Sequence, residues 1–333
     1  MILSIRRLAL LFGVLLVLVA VAALAVGAAD LAGTWGAILS PFDQRESQVG
    51  QIIWQIRAPR IATAILIGAA LGVAGALAQG STNNVLAEPA ILGTAAGASL
   101  GVLTGLMLNV ISIGSIGAIA FATAGALLVT LLVFRLSLSN GKRSTFQLII
   151  VGIATSALIS AIVGLSISIT SRPDARSISF WSLGSFTLVQ PEDLIHLAPI
   201  IVLGVIGAYF IAPPLDLLSL GDSTTHNLGF NPQAIRLRAF IILSVLVAAA
   251  VSTVGVISFV GLAAPHIARL LTGPVHRRLV ISSALIGALI LLISDTVARS
   301  LVPPIELPIS LITSLIGAPI LIYLVRSRRQ VWQ

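Results

Sequence analysis

The chain has 333 residues, 57% of them hydrophobic and 9% charged, and this composition excludes a water-soluble domain, in which about 25% of residues are charged. The formal net charge is +8, but the basic residues are dispersed among apolar segments, which excludes a basic nucleic-acid-binding face. With no Cys, four His and two Met, the chain has no means to form disulfides or thiolate metal sites, and we expect no bound metal.

Apolar runs of about twenty residues follow one another along the chain, and this is the length that a helix needs to cross a bilayer. Barrel strands would be half as long and would alternate apolar with polar residues, so the runs predict helices. The sequence therefore predicts an all-α polytopic membrane protein with about ten transmembrane helices in a single domain, residues 1–333. The ten runs lie at 8–29, 61–79, 91–109, 115–134, 146–170, 194–212, 237–256, 257–270, 279–298 and 308–325.

The first run begins after Arg6 and Arg7 and has the pattern of a signal peptide. It is longer than the apolar core of a signal peptide, so we expect an uncleaved first span. Because Lys and Arg are retained on the cytoplasmic side, the charges between the runs predict that both termini are cytoplasmic. Most of the acidic residues then fall on the outer side.

Small residues are regularly spaced on three of the spans. On the second and third spans, glycines three or four residues apart predict close helix packing. These glycines are Gly68, Gly72, Gly75, Gly93, Gly97 and Gly101. The fifth span carries small residues at a strict spacing of four, namely Gly152, Ser156, Ser160, Gly164 and Ser168. This ridge either lines a passage or packs on a crossing helix.

Arg57, Arg60 and Arg299 lie on the predicted outer side, against the usual charge bias. Exposed cations in that place suit the docking of an acidic partner, and snorkelling to lipid phosphates is the alternative. Asp295 precedes Arg299 by four residues. We therefore expect an ion pair between them that makes a charge near the membrane tolerable.

Two places in the second half of the chain predict irregular structure. Residues 177–188 have the pattern of a short helix at the membrane surface. Gly255, Gly261 and Pro265 interrupt the run near 257–270. Both a short span and a broken helix fit this pattern.

The connection near 213–232 is the longest on the predicted cytoplasmic side. We expect Pro213 and Pro214 to break the sixth span, and the leucines up to Leu220 to form a short helix that Gly221 ends.

A second short helix follows in the same connection. It is capped by Asp222 or Ser223 and ends at Gly229. Short helices with apolar residues in the aqueous phase need a partner surface, and folding back on the membrane interface is the alternative.

The sequence lacks the motifs of enzymes and of nucleotide-binding proteins. The segment from Gly141 to Ser144 is not a phosphate loop, because it lacks the upstream Gly and has no Ser or Thr directly after Lys142. Metalloprotease and serine-hydrolase motifs are absent. We therefore expect no catalytic residue, and we expect any energy that the function needs to come from another protein.

Several stretches, in order along essentially the whole chain, resemble the iron-siderophore and vitamin B12 family of ABC transporter permeases. They are Arg57-Ala-Pro-Arg60 with the segment from Gly68 to Gln79, the segment from Asn84 to Gly93, the Leu-Gly-Asp and Leu-Gly pairs within 220–229, the segment from Phe259 to Arg269, Ser294-Asp-Thr-Val-Ala-Arg299, Glu306-Leu-Pro308 and Gly317-Ala-Pro319.

This resemblance implies an inverted-repeat permease subunit of ten spans. Two such subunits, identical or related, enclose a central pathway. The resemblance also implies two cytoplasmic ATPase subunits, an extracytoplasmic solute-binding protein and no cofactor on this chain, since ATP-Mg belongs to the ATPase. Arg57, Arg60 and Arg299 match positions that receive acidic residues of the binding protein. The positions that match the ATPase-coupling helices are Leu218, Leu220, Gly221, Asp222, Leu228 and Gly229. Ser144 and Thr145 match the cytoplasmic gate, and we assign Ser156, Ser160 and Gly164 to the pathway.

The chain departs from the family pattern in two places. Val85 stands where the family usually has Pro, and Thr224, Thr225 and His226 stand where a small Ala is usual. Both places face the ATPase, so they put the detailed fit to that partner in question.

The predicted function is that of the permease subunit of an ATP-driven importer in the bacterial cytoplasmic membrane. The favoured cargo is a ferric siderophore or a related iron chelate, moved by alternating access. Cobalamin and heme are the alternative cargoes within the family. An ion-coupled secondary transporter is the alternative from another class, but it would need ionisable residues at the membrane midplane, and Asp295, the sole candidate, lies near a span end.

Overall fold

Helices form almost all of the described chain in the computed structural model. The described residues are 5–26, 34–39, 47–139, 142–143, 145–169, 175–302 and 305–327. The helices are α1 (Ile5–Ala25), α2 (Thr34–Leu39), α3 (Gln48–Gln51), α4 (Ala58–Thr82), α5 (Thr94–Met107), α6 (Ile116–Leu136), α7 (Thr145–Ile169), α8 (Ala175–Ser182), α9 (Asp193–Leu218), α10 (Asp222–Asn227), α11 (Pro232–Val254), α12 (Val260–Thr272), α13 (His276–Ser300) and α14 (Ile309–Ser327). The remaining elements are a π-helical segment (Ile52–Arg57), a 3-10 segment (Pro89–Leu92) and the antiparallel strands β1 (Leu138–Ser139) and β2 (Lys142–Arg143).

Each of the ten predicted apolar runs contains one helix within its described part. They correspond to α1, α4, α5, α6, α7, α9, α11, α12, α13 and α14. Within the described ranges, seven helices are long and apolar enough to cross a membrane, and α5 and the Ile309–Pro319 part of α14 are shorter apolar helices. The predicted all-α membrane fold is thereby confirmed.

The second span begins earlier than its apolar run predicts. α3, the π-helical segment and α4 form one helix of 35 residues, Gln48–Thr82. The hydroxyl of Ser47 accepts the N–H of Gly50 at 3.0 Å and caps the start of this helix. The Trp54 indole donates to the carbonyl of Ala37 in α2 at 3.1 Å. These local polar contacts stabilise the added turns together with the burial of Ile53, which is 0% exposed.

The sixth span, α9, continues through Pro213 and Pro214 to Leu218. The prediction that the two prolines break this span is therefore wrong. Each proline removes one backbone donor, but membrane helices tolerate this loss where neighbouring groups hold the helix. Leu215 and Leu218 are 0% exposed, and their packing stabilises the last turn.

The short helix predicted near 177–188 is present as α8. Its Ile178 and Trp181 are buried, and the backbone carbonyl of Trp181 lies directly against Gly255, where φ is +74°. A side chain at Gly255 would overlap this carbonyl. α8 therefore packs on the end of α11.

The α11–α12 connection is a break followed by a helix of only 13 residues. Phe259 has φ +66°, and its N–H donates to Glu88 Oε1 at 2.8 Å. Pro89 lies next to Gly261, which also contacts the middle of α4. The segment at 88–92 and the start of α12 are therefore in direct contact, and both lie close to α4.

α4 is the central helix and packs against α9, α11, α12 and α13. Cβ atoms added at Gly68 or Gly72 would lie closer than 3.0 Å to the backbone of α13, and one at Gly75 closer than 3.0 Å to that of α12. Gly97 and Gly101 of α5 lie equally close to the backbone of α6. The predicted close packing at these glycines is confirmed.

Candidate functional site

Two polar clusters lie at opposite ends of α4. Arg60 is in the first turn of α4 and contacts Asp295 and Glu306. Ser81 is in the last turn, and its carbonyl accepts a hydrogen bond from Arg236 at 3.0 Å. Arg60 and Ser81 are 21 residues apart, or about 32 Å along a helix. This length matches the thickness of the hydrocarbon core of a bilayer.

We name the first group of residues the arginine cluster, which consists of Arg57, Arg60, Asp295, Arg299 and Glu306. Arg60 connects the two acidic residues. Its Nε and Nη2 donate to the Asp295 carboxylate at 2.8 to 3.2 Å. Its Nη1 donates to both carboxylate oxygens of Glu306 at 2.8 and 3.0 Å. This is a doubly paired guanidinium, a strong and directional arrangement.

The other two arginines cap the end of α1. Arg57 Nη1 donates to the carbonyls of Leu24 and Ala25 at 2.7 and 3.2 Å. Arg299 Nη2 donates to the carbonyl of Ala23. The last carbonyls of a helix lack intrahelical donors and carry partial negative charge, so two cations there stabilise the end of α1.

The three arginines differ from the sequence-based expectation in their exposure. Arg57, Arg60 and Arg299 are 5%, 9% and 4% exposed, so the expectation of exposed cations is wrong. The expectation failed because the acids and carbonyls that cover these arginines come from α1, α13 and the α13–α14 connection, and most of these groups are distant in the sequence. Their role in docking is a separate matter and stays a prediction.

The expected ion pair between Asp295 and Arg299 is present at 3.7 Å. Asp295 is nonetheless closer to Arg60, at 2.8 Å, and it is fully buried. The main partner of Asp295 is therefore 235 residues away in the chain, which spacing on one helix did not reveal.

Glu306 is the outermost carboxylate of the arginine cluster, with 28% of its side chain exposed. The Thr187 hydroxyl also donates to it, at 2.9 Å. Burial raises the pKa of Glu306, but the hydrogen bonds and charge of Arg60 outweigh burial and leave the pKa below its ordinary value. Glu306 is therefore ionised at neutral pH.

We name residues 215–229, at the opposite end of the bundle, the coupling segment. Leu218 is buried, whereas Leu220 and Leu228 are 55% and 54% exposed. The predicted second short helix is present as α10, with positive φ at Gly221 and Gly229 on either side. Leu220 and Leu228 flank α10 on its two sides, and both side chains are left exposed by the residues that the structure describes.

Asp222 attaches the coupling segment to the bundle. Asp222 or Ser223 was expected to cap α10, but the cap residue is Gly221 and no side chain caps the helix. The Asp222 carboxylate instead accepts two hydrogen bonds from Arg236 at 2.7 Å each. This contact holds the pKa of Asp222 below its ordinary value. Arg236 also donates to the carbonyl of Ser81, so it connects α10 to the end of α4.

Thr225, one of the departures from the family pattern, is buried inside the coupling segment. Its hydroxyl donates to the carbonyls of Leu217 and Gly221 at 2.7 and 2.9 Å. The side chain of Asn83 also donates to the carbonyl of Leu218 at 2.7 Å. Thr225, which is larger than the Ala that is usual in the family, therefore stabilises the turn between α9 and α10. Its side chain is buried and does not project toward a partner.

The small-residue ridge of α7 has two different halves. Gly152 lies against the backbone of Ile91, and the Ser156 hydroxyl donates to the carbonyl of Ala90 at 3.0 Å. Ser160 and Gly164 are exposed. Packing thus explains the small residues in the first half of the ridge, but it does not explain those in the exposed second half. The pathway role of Ser156, Ser160 and Gly164 stays a prediction. Thr145 begins α7, and Ser144 lies outside the described residues.

Three functional candidates were missed by sequence reasoning. Glu88 accepts the N–H of Phe259 at the α11–α12 break. Asp216 accepts hydrogen bonds from the backbone N–H of His276 at 3.0 Å, and the His276 ring contacts the same oxygen at 2.6 Å. Arg236 binds Asp222. The sequence does show that each is a polar residue beside an apolar run. It does not show the partner, because the partner lies in a different part of the chain and is brought close only by folding.

Comparison with known proteins matches residues 14–327 to the FecCD transport family. The hemin transport system permease protein HmuU of Yersinia pestis is 36% identical over 86% of this chain and 86% of its own length. The iron-uptake system permease protein FeuB of Bacillus subtilis is 37% identical over 74% of this chain and 73% of its own. The vitamin B12 import system permease protein BtuC of Vibrio cholerae is 37% identical over 77% of both chains.

Solved structures agree with these sequence matches. One, described as an inward-facing conformation of a transporter of the metal-chelate ABC type, has a TM-score of 0.82 and 32% identity, and the match covers 97% of this chain and 99% of that one. The family resemblance inferred from the motifs is confirmed. The chain belongs to the FecCD transport family.

Proposed function

We propose that this chain is the permease subunit of an ABC importer that moves a ferric siderophore, or a related iron chelate, across the bacterial cytoplasmic membrane by alternating access. The observation that carries the proposal is the placement of two polar clusters at opposite ends of α4, about 32 Å apart. Relatives named for iron uptake, hemin and vitamin B12 transport support an importer. Heme and cobalamin are therefore the alternative cargoes.

Each end of the bundle has its own partner in this proposal. A solute-binding protein docks on the outer face at the arginine cluster. Two ATPase subunits, which hold the ATP-Mg, bind the exposed leucines of the coupling segment on the cytoplasmic face. Both termini are then cytoplasmic, and the chain itself binds no cofactor and catalyses no reaction.

The pathway lies between this chain and a second permease subunit, either identical or related. Ser160 and Gly164 are exposed on α7, so they are available to line that pathway. Ser144 and Thr145 belong to the gate at the cytoplasmic start of α7. Residues 1–333 act as one transmembrane unit in this scheme.

We expect cells that carry the gene to accumulate a labelled ferric siderophore, and cells without it to lose this uptake. Labelled heme and cobalamin, tested in the same strains, separate the three cargoes. If none of the three is taken up in a gene-dependent manner, the proposed transport function is wrong.

Cysteine cross-linking tests the coupling segment directly, because the chain has no native Cys. We expect Leu228→Cys to cross-link to the ATPase subunit, since this side chain is 54% exposed. The matched control is Leu203→Cys, which is 68% exposed in the apolar middle of α9 and faces no ATPase. Equal labelling of the ATPase by both variants, or by neither, would contradict the assignment.

A further inference from the structure

The hydrogen bonds of Arg60 leave little room for an incoming partner. The donors of Nε and Nη2 are directed at Asp295, and Nη1 donates to both oxygens of Glu306. A guanidinium has five N–H donors. A carboxylate from another protein can therefore pair fully with Arg60 only by taking the place of Asp295 or Glu306.

Of these two acids, only Glu306 can be replaced from outside. The Asp295 side chain is 0% exposed and the Glu306 side chain is 28% exposed. Glu306 belongs to the short connection between α13 and α14, where Leu301 and Ile305 are also exposed. A protein approaching this face meets Glu306 before it meets Arg60.

Charge balance favours exchange over simple addition. The arginine cluster contains three arginines and two carboxylates, and an unpaired charge in a buried site is strongly destabilising. If Glu306 left Arg60 without a replacement, Arg60 would keep one partner and the excess positive charge would increase. Replacement of Glu306 by another carboxylate leaves the balance unchanged.

We propose that Glu306 is an internal competitor, which pairs with Arg60 in the free permease and is displaced by an acidic side chain of the docked solute-binding protein. This inference rests on the proposed function of the arginine cluster. Glu306 then has a second partner to retain it after displacement, the hydroxyl of Thr187. Docking is weaker than it would be with a free Arg60, which favours release of the binding protein after delivery.

The test is the substitution Glu306→Gln, which keeps the size and the hydrogen-bonding capacity of the side chain and removes its charge. The probe is the solute-binding protein that supports uptake through this permease in the transport assay, added to the complete transporter in nanodiscs. We expect its Kd to fall roughly 10-fold, because close charge pairs at interfaces have coupling energies of about 1.5 kcal/mol or more.

The matched control is Glu192→Gln. Glu192 is exposed at the start of α9, on the same face of the bundle, and it is not part of the arginine cluster. Tighter binding in Glu306→Gln alone supports the exchange. Unchanged or weaker binding in Glu306→Gln, or equal tightening in both variants, overturns it, provided that thermal unfolding shows both variants folded.

A further variant, Arg60→Lys, separates this inference from the proposed function. Lysine keeps the charge but not the bidentate geometry. If docking weakens in Arg60→Lys while Glu306→Gln has no effect, the docking role of the cluster stands and the exchange is wrong. If the affinity of the binding protein changes in neither variant, the docking role itself fails.

Discussion

Replacing Gly75 with alanine is expected to prevent normal assembly of the helix bundle. A Cβ at this position would lie closer than 3.0 Å to the O, C and Cα atoms of Gly261. All three are backbone atoms, so no side-chain rotation relieves the overlap, and α4 and α12 must separate. Overpacking of a core typically costs about 1 to 3 kcal/mol, and more where the backbone has to move. We expect a large loss of monodisperse protein in detergent and a lower Tm.

The matched control for this substitution is Gly13→Ala in α1, where an added Cβ has no neighbour within 4 Å. Both substitutions replace a helical glycine, so both gain the same intrinsic preference of about 1 kcal/mol. They differ in that only the alanine at position 75 would overlap the backbone of α12. Equal Tm values for the two variants would show that α4 and α12 are not in backbone contact.

The second large effect is expected for Asp295→Asn. Asp295 is fully buried and pairs with Arg60 at 2.8 Å and Arg299 at 3.7 Å. Removal of this charge leaves Arg60 with Glu306 as its carboxylate partner and removes the ion pair of the buried Arg299. Breaking a buried ion pair at one partner costs about 3 to 5 kcal/mol, so we expect a marked fall in Tm and in transport. Since the site is buried, added salt is not expected to restore either one.

Glu306→Gln is the control for Asp295→Asn, because it removes the other carboxylate of Arg60. Glu306 is partly exposed, so water can solvate the Arg60 edge that it leaves, and we expect a much smaller fall in Tm. A similar fall for both variants would mean that Asp295 is not the buried centre of the arginine cluster.

The positions of the transmembrane helices were predictable because each depends on a local quantity. A run of apolar residues long enough to cross a bilayer must satisfy its backbone within one helix. The glycine contacts of α4 and α5 were predictable for a similar reason, since the spacing of Gly68, Gly72 and Gly75 places them on one side of a helix. The motifs around Arg57, Glu306 and 220–229 were sufficient to indicate the family.

Predictions about polar residues near the helix ends were less successful. Arg57, Arg60 and Arg299 were expected to be exposed, but they are covered by groups from distant parts of the chain. Pro213 and Pro214 were expected to break α9, but buried leucines hold its last turn.

The sequence by itself determined that this protein is embedded in a membrane, which segments cross it, and to which family it belongs. Only the tertiary structure decided which charges are paired, how α12 enters the bundle at Phe259 and Glu88, and which leucines remain exposed for a partner. The physical reason is the range of the interactions. Apolar length and small-residue spacing act within one helix, whereas the partner of a buried charge is chosen by contacts between residues such as Arg60 and Asp295, 235 positions apart.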